Sequence, residues 1–312
     1  MQTMMRRKNE GRRLRLQGKW TLQVPYHLML IPAVIFVFLF NTRTWPGILA
    51  AFQKFIPTKG WYGSKWIGWK NFQVFFKQPD AWRIIRNTLV IAVGKIVVGQ
   101  VAAIAFALMI NEVRQTRLKK SIQTAVYLPH FVSWVIYATI LKAILGSGGM
   151  INMVQRSMGV EQTMILGIPW LFPILMILTE TLKEFGYGAI IYLATITAID
   201  PGLYEAAELD GASRWQQTRY VTLPGMKNII IIQAVLSLGG VLSAGFDQIF
   251  NMYNTLVMST AQTIDTWVYD MGLVSMNYGL GTAVGLMRSI IALVLTIFAY
   301  WAADRYADYK VF

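Results

Sequence analysis

Seven ionisable side chains lie within or at the ends of long apolar runs: Lys95, Lys142, Glu180, Lys183, Glu184, Asp247 and Arg288. A charge at membrane depth is costly, so such residues face a partner or a water-filled cavity, and each is a candidate contact for a polar solute. Glu180 stands three positions before Lys183 and four before Glu184, which puts these groups on one helix face. Two readings stay open for them, a structural ion pair and a solute path. The adjoining Phe185-Gly186-Tyr187-Gly188 favours the path, because glycines loosen a helix and aromatic rings offer flat faces to sugar rings. Lys95 and Lys142 are expected to snorkel or to pair between helices. Other chemistry is poorly supplied. With no cysteine and only His27 and His130, the sequence holds no thiolate nucleophile, no zinc cluster and no Ser-His-Asp triad. It also lacks a Gly-x-x-x-x-Gly-Lys-Ser/Thr loop, so it cannot cradle ATP phosphates in the usual way.

The elements that must position these residues are membrane helices. Of 312 residues 55% are apolar and only 14% charged, with a mean hydropathy of +0.45; soluble domains carry about 25% charged residues. Crossing the hydrocarbon takes about 20 mostly apolar residues. Six such runs occur, at Pro25–Phe40, Thr88–Ile110, Ala125–Leu145, Ile165–Ile199, Met226–Phe246 and Gly281–Ala303, the fourth interrupted near its middle by polar residues and glycines. They are continuous, without the ten-residue alternation of a membrane β-barrel. The fold class expected is an all-α membrane protein with six transmembrane helices.

Charge sets the orientation. Arg6, Arg7, Lys8, Arg12, Arg13, Arg15 and Lys19 stand against Glu10 alone ahead of the first run, which keeps that end cytoplasmic. Six helices then place both termini inside. The layout is a basic cytoplasmic segment (1–24), a first helix (25–41), an external segment (42–87), a five-helix core (88–303) with a cytoplasmic loop at 200–224, and a cytoplasmic tail (304–312). No small-residue cleavage pattern follows the first run, so it is expected to be an uncleaved anchor and not a signal peptide. The net charge of +14 on so apolar a chain suits cationic flanks better than nucleic-acid binding. The external segment breaks the rule. It carries Arg43, Lys54, Lys59, Lys65, Lys70, Lys77, Arg83 and Arg86 against Asp80, interleaved with Trp45, Trp61, Tyr62, Trp66 and Trp69, as expected at a membrane interface.

The cytoplasmic loop reads Asp200-Pro201-Gly202-Leu203-Tyr204-Glu205-Ala206-Ala207-Glu208-Leu209-Asp210-Gly211-Ala212-Ser213-Arg214-Trp215-Gln216, and on to Leu223-Pro224. Asp200 can cap a helix that starts at Pro201. Gly211 permits a sharp turn, and Ser213 with Gln216 fits a capping box for a second short helix. Pro224 is expected to stop that helix and to start the fifth span. The product is a rigid knob able to pass a push from a soluble partner into the membrane.

This string closely resembles the EAA loop of bacterial ABC importer permeases, the binding-protein-dependent membrane subunits. The matching residues are Glu205, Ala206 and Ala207, then Asp210, Gly211 and Ala212, then Leu223 and Pro224. The wider chain is most similar to the maltose-type sugar class and its polysaccharide-fragment branch, through Ala51-Phe52-Gln53, Gly68-Trp69-Lys70-Asn71-Phe72, Asn87-Thr88-Leu89, Leu128 to Val135 and Ala307 to Phe312. One departure is Ser259-Thr260-Ala261-Gln262-Thr263, where such permeases often carry Gly-Gly-Pro.

The resemblance implies a type I importer permease fold and a non-catalytic subunit. Its implied partners are a second, related permease chain, two ATPase subunits that bind ATP and Mg, an extracytoplasmic solute-binding protein and an oligosaccharide. Glu205, Ala206, Ala207, Asp210, Gly211, Leu223 and Pro224 would couple to the ATPase, with no catalytic residue and no metal on this chain. Mapped by position, the substrate pathway would include Trp134, Lys183, Glu184, Phe185, Tyr187, Asp247 and Gln248, and Arg288 joins them as a charge within the sixth apolar run. Lys95, Lys142, Lys183 and Arg288 in the spans, with the basic external segment, point to an anionic cargo such as oligosaccharides containing uronic acids. The rival class, an ATP-independent secondary transporter or channel, is often marked by internal inverted repeats, and none is visible.

Overall fold

A computed structural model describes residues 23–307. The basic cluster before Gln23 and residues 308–312 of the tail lie outside the described residues. Among the described residues, five helices are long and apolar enough to cross a membrane: Gln23–Phe52, Ala81–Asn111, Trp134–Ser157, Arg214–Leu238 and Tyr278–Trp301. Phe172–Thr197 with Pro201–Leu209, bent by 70°, makes the sixth. They are called the first to sixth spans in chain order, the bent pair being the fourth.

The second and fourth spans form the central pair. From its outer to its cytoplasmic end, the second span gives Ile84 to a cluster with Phe75, Ile264 and Trp267, Ile91 to one with Phe172, Met176 and Ile249, and Ala103, Phe106 and Ile110 to one with Ala189, Leu193 and Met226. This helix starts at Ala81, seven residues ahead of the apolar run at Thr88, because Arg83 and Arg86 interrupt the hydropathy but not the helical spacing of Ala81, Ile84, Thr88 and Ile91, all buried. The external segment is a small folded cap. Gln53–Lys54 pairs antiparallel with Lys65–Trp66, Phe52 gathers Trp66, Trp69 and Phe72 around it, and Asn71 donates to the carbonyls of Ala51 at 2.8 Å and Gln53 at 3.0 Å.

Three expected spans differ in detail. The run Ala125–Leu145 is broken: helix Thr116–Tyr127 ends in a turn at Leu128–Phe131 that contains Pro129, and Trp134–Leu145 restarts behind Ser133, whose hydroxyl caps the Ile136 amide. Pro129 and the cap set that break, because proline lacks the amide a continuing helix needs. The run Met226–Phe246 is helical only to Leu238; a turn at 239–245 containing three glycines follows, with Gly245 left-handed at φ 85°, and then a short helix, Phe246–Met252.

The fourth span is the reverse case. Its glycines do not interrupt it, since Phe172–Thr197 is one helix. Gly186 serves close approach: a Cβ there would stand 2.5 Å from the Val126 carbonyl oxygen. Small residues let membrane helices touch backbone to backbone. Gly186→Leu should therefore destabilise the protein by about 1–3 kcal/mol, read as a lower thermal midpoint in detergent. Gly99, with nothing within 4 Å of its Cβ position, should tolerate alanine without loss. A Gly186→Leu protein melting with the parent would contradict this packing.

Candidate functional site

The cytoplasmic knob is built from local caps. Asp200 accepts from the Gly202 amide at 2.9 Å, and Pro201 opens the helix Pro201–Leu209. Gly211 sits at φ 77°, a conformation that side chains disfavour, while the Ala212 amide returns to the Ala207 carbonyl at 2.9 Å. Ser213 and Gln216 form a full capping box over Arg214–Gln217. Tyr204 and Thr222 hydroxyls meet at 2.9 Å, and Arg214 reaches Glu112 at 3.3 Å, tying the knob to the fifth and second spans. Pro224 does not stop the helix as expected. A π-helical turn at Thr218–Thr222 widens the backbone just before it, and Arg214–Leu238 runs through. The widened turn absorbs the missing amide of Pro224 without a break.

The knob is largely exposed. Glu205, Ala206, Asp210 and Gly211 are exposed, as is Pro224, whereas Ala207 and Leu223 are half-buried. Around them Leu203, Leu209, Trp215 and Tyr220 are exposed apolar side chains, with Leu209 at 90%. A cavity of about 650 Å³ lies alongside, lined by Tyr204, Glu205, Glu208, Ser213 and Arg214 among others. An apolar rim around a polar hollow is the surface a soluble subunit would cover.

Deeper in the membrane, a cavity of about 350 Å³ opens between the second, fourth and fifth spans, its polar lining including Lys95, Gln100, Glu180, Glu184, Gln233 and Ser237. Lys95 is the buried anchor of this site. Its ammonium meets Glu180 at 3.2 Å, the Ala244 carbonyl at 2.7 Å and the Gln248 side chain. Gln248 is itself fully buried and donates to the Met176 carbonyl at 2.9 Å and the Thr179 hydroxyl at 2.8 Å. The ion pair suggested by the spacing of Glu180 and Lys183 is thus replaced by Glu180 with Lys95.

Lys183 turns the other way. It is buried under the Trp134 ring, 5.3 Å from the centroid, and donates to the His130 carbonyl at 3.0 Å and to Glu184 at 2.8 Å. Glu184 also takes His130 Nδ1 at 2.5 Å, and the His130 ring stacks on Tyr187 at 3.8 Å. Phe185 packs edge-on to Phe106. The structure therefore gathers Lys183, Glu184 and Tyr187 around His130, with Trp134 over Lys183; His130 is not among the expected site residues. Only Leu128-Pro129-His130-Phe131, a proline turn beside a span, hinted at it. Glu184 and Phe185 line the central cavity, while the expected pathway residue Gln248 is locked in the packing behind it. Asp247 is exposed on the short helix outside this cavity, and Arg288 stands apart on the sixth span, paired with Asp265.

One consequence concerns charge. Lys95, Lys183 and Arg288 each have a carboxylate partner in the chain, so three of the four span cations are neutralised locally, with Lys142 exposed. For Lys95 this is the expected pairing between helices, whereas the cations that point to an anionic cargo are here each met by a carboxylate, Lys142 apart. The external lysines at 54, 59, 65, 70 and 77 are exposed.

Comparison with known proteins agrees with this architecture. Residues 95–308 match the family described as binding-protein-dependent transport system inner membrane component. The polygalacturonan/rhamnogalacturonan transport system permease protein YteP of Bacillus subtilis is 36% identical over 303 residues, covering 96% of this chain and 94% of that one. Protein LplB of Bacillus subtilis is 36% identical over 287 residues, covering 92% and 90%. A chain in the crystal structure of a bacterial alginate ABC transporter, in complex with its alginate pentasaccharide-bound periplasmic protein, superposes with a TM-score of 0.86 at 34% identity, covering 95% of this chain and all of that one. With a family model across most of its length and relatives at this identity, the chain belongs to the inner-membrane permease components of binding-protein-dependent ABC transporters.

Proposed function

We propose that this chain forms half of the translocation pathway of an ATP-driven oligosaccharide importer. The other half is a second, related permease chain. Two ATPase subunits hold ATP and Mg, and an extracytoplasmic binding protein delivers the cargo. Alternating access is driven from the knob at 200–224. Closure of the ATPase dimer pulls on Glu205 and its exposed apolar rim, and the pull passes through the Tyr204–Thr222 contact into the fourth and fifth spans. The observation that carries this reading is the double-capped knob itself, rigid by its own hydrogen bonds and continuous with two spans.

The cargo we assign is an acidic, uronate-containing oligosaccharide. Two similar proteins support it by what they carry, one named for polygalacturonan/rhamnogalacturonan transport and the other an alginate transporter. The central cavity suits the sugar portion. Glu180 and Glu184 are its partly exposed ends while Lys95 and Lys183 are buried behind them. Carboxylates so placed accept hydrogen bonds from sugar hydroxyls.

Three outcomes are expected in proteoliposomes holding the full transporter. Glu205→Ala should weaken ATPase docking roughly tenfold or more, as loss of a charge-assisted hydrogen bond does. Gly211→Pro, which forces φ to about −65°, should abolish uptake. Wild-type uptake by the combined variant would contradict the coupling role. Binding protein loaded with uronate oligosaccharides should stimulate ATP hydrolysis, and stimulation by neutral oligosaccharides alone would contradict the acidic cargo.

A further inference from the structure

A second cavity lies towards the outer ends of the fifth and sixth spans, about 820 Å³ in volume. It adjoins the central cavity: Ser243, on the turn that ends the fifth span, lines both. Phe246, Tyr269 and Tyr278 contribute aromatic surface to it, and Arg288 and Asp265 are its charged groups. Its placement on the sixth span is that of an inner face. Gly281, Gly285, Arg288 and Ser289 line it at helical spacing, while Ile290, Val294, Ile297 and Trp301 run exposed along the opposite face.

The polarity of its ion pair sets it apart. In the central cavity the lysines are hidden and the acids face the lumen, with side-chain exposures of 9% against 27% for Lys95 and Glu180 and 5% against 33% for Lys183 and Glu184. Here the order is inverted, Arg288 being 31% exposed and Asp265 only 10%. Asp265 accepts from Nη1, one of the guanidinium nitrogens, and the guanidinium is the more exposed member of the pair in the cavity lining. A planar guanidinium fixed at one edge by a buried carboxylate is preorganised to take a second carboxylate bidentately at its free edge.

We propose that this outer cavity is a uronate subsite, in which Arg288 binds a sugar carboxylate, Asp265 positions the guanidinium, and Phe246, Tyr269 and Tyr278 take the ring faces. The inference rests on the acidic-cargo reading above. It divides the path into an outer chamber that reads carboxylates and a central one that reads hydroxyls, joined at Ser243. An oligouronate can then occupy both at once, with successive residues satisfying opposite chemistries.

The test uses the full transporter with its binding protein in proteoliposomes and two probes, an oligouronate and the same oligosaccharide with its carboxyl groups reduced to alcohols. Uptake is measured for each as KM and kcat separately. The charge-balanced double variant Arg288→Gln with Asp265→Asn should raise KM for the oligouronate roughly tenfold or more, the loss expected for one charge-assisted contact, and leave KM for the reduced sugar within about twofold. Arg288→Lys retains the charge and the ion pair but not the planar fork, and should give an intermediate shift in the same ratio; it decides the matter if the double variant fails to assemble. An unchanged oligouronate KM, or an equal loss for both probes, overturns the subsite. A wild-type transporter that carries only the reduced sugar overturns the acidic-cargo reading itself, whereas a wild type that prefers the oligouronate with variants that prefer it equally overturns the subsite alone.

Discussion

An ammonium group buried at membrane depth needs partners, and Lys95 finds three on three other elements: Glu180 on the fourth span, Ala244 on the turn after the fifth, and Gln248 on the short helix that follows. Removing a charge from water costs several kcal/mol that only close, saturated pairing offsets. The geometry around Lys95 is therefore closely constrained. It holds the second span to the fourth, and it fixes the turn at 239–245 that ends the fifth span early. That turn is also where the two cavities meet. The same rule recurs at Lys183, which pins the turn before the third span through the His130 carbonyl, and at Arg288 with Asp265. Pairing of charges between elements thus shapes the path, and the exposure of each pair decides which sign the lumen presents.

The cytoplasmic end obeys a different constraint. In water the knob at 200–224 has little core of its own, and local hydrogen bonds do the work of packing. Asp200, Ser213 and Gln216 satisfy the free amides at two helix starts, and Gly211 supplies a turn that a side chain would strain. The π turn before Pro224 lets this stiff unit continue into the fifth span without a hinge. Motion imposed at Glu205 is therefore delivered to the helices that border the central cavity.

How much of this could be read in advance follows from the range of each interaction. The six crossings are legible because hydropathy sums over many residues, and the knob because caps act between neighbours three or four positions apart. The break in the third run was marked by Pro129 and Ser133, and that in the fifth by Gly239, Gly240 and Gly245, but each stood inside an apolar stretch that outweighed it. Pairings were not legible. Lys95 and Glu180 are 85 positions apart, and which of several acids a lysine meets depends on the rotation of helices about their axes. Asp265 lies outside every apolar run, so nothing in the sequence points to it as the partner of Arg288. Gly186 was misjudged for a related reason: the Val126 backbone that demands its small size comes from a distant helix.

Paired charges, more than hydrophobic contact alone, hold the spans around the cavity. A double-mutant cycle on Lys95→Met and Glu180→Gln, read by equilibrium unfolding in detergent, tests it most directly. Glu180→Gln should destabilise the protein by about 3–5 kcal/mol, because it leaves Lys95 buried and uncompensated, Lys95→Met by less, because Glu180 still faces the cavity, and the double change should be no worse than Glu180→Gln alone. A small effect of Glu180→Gln, or losses that simply add in the double variant, would contradict the claim.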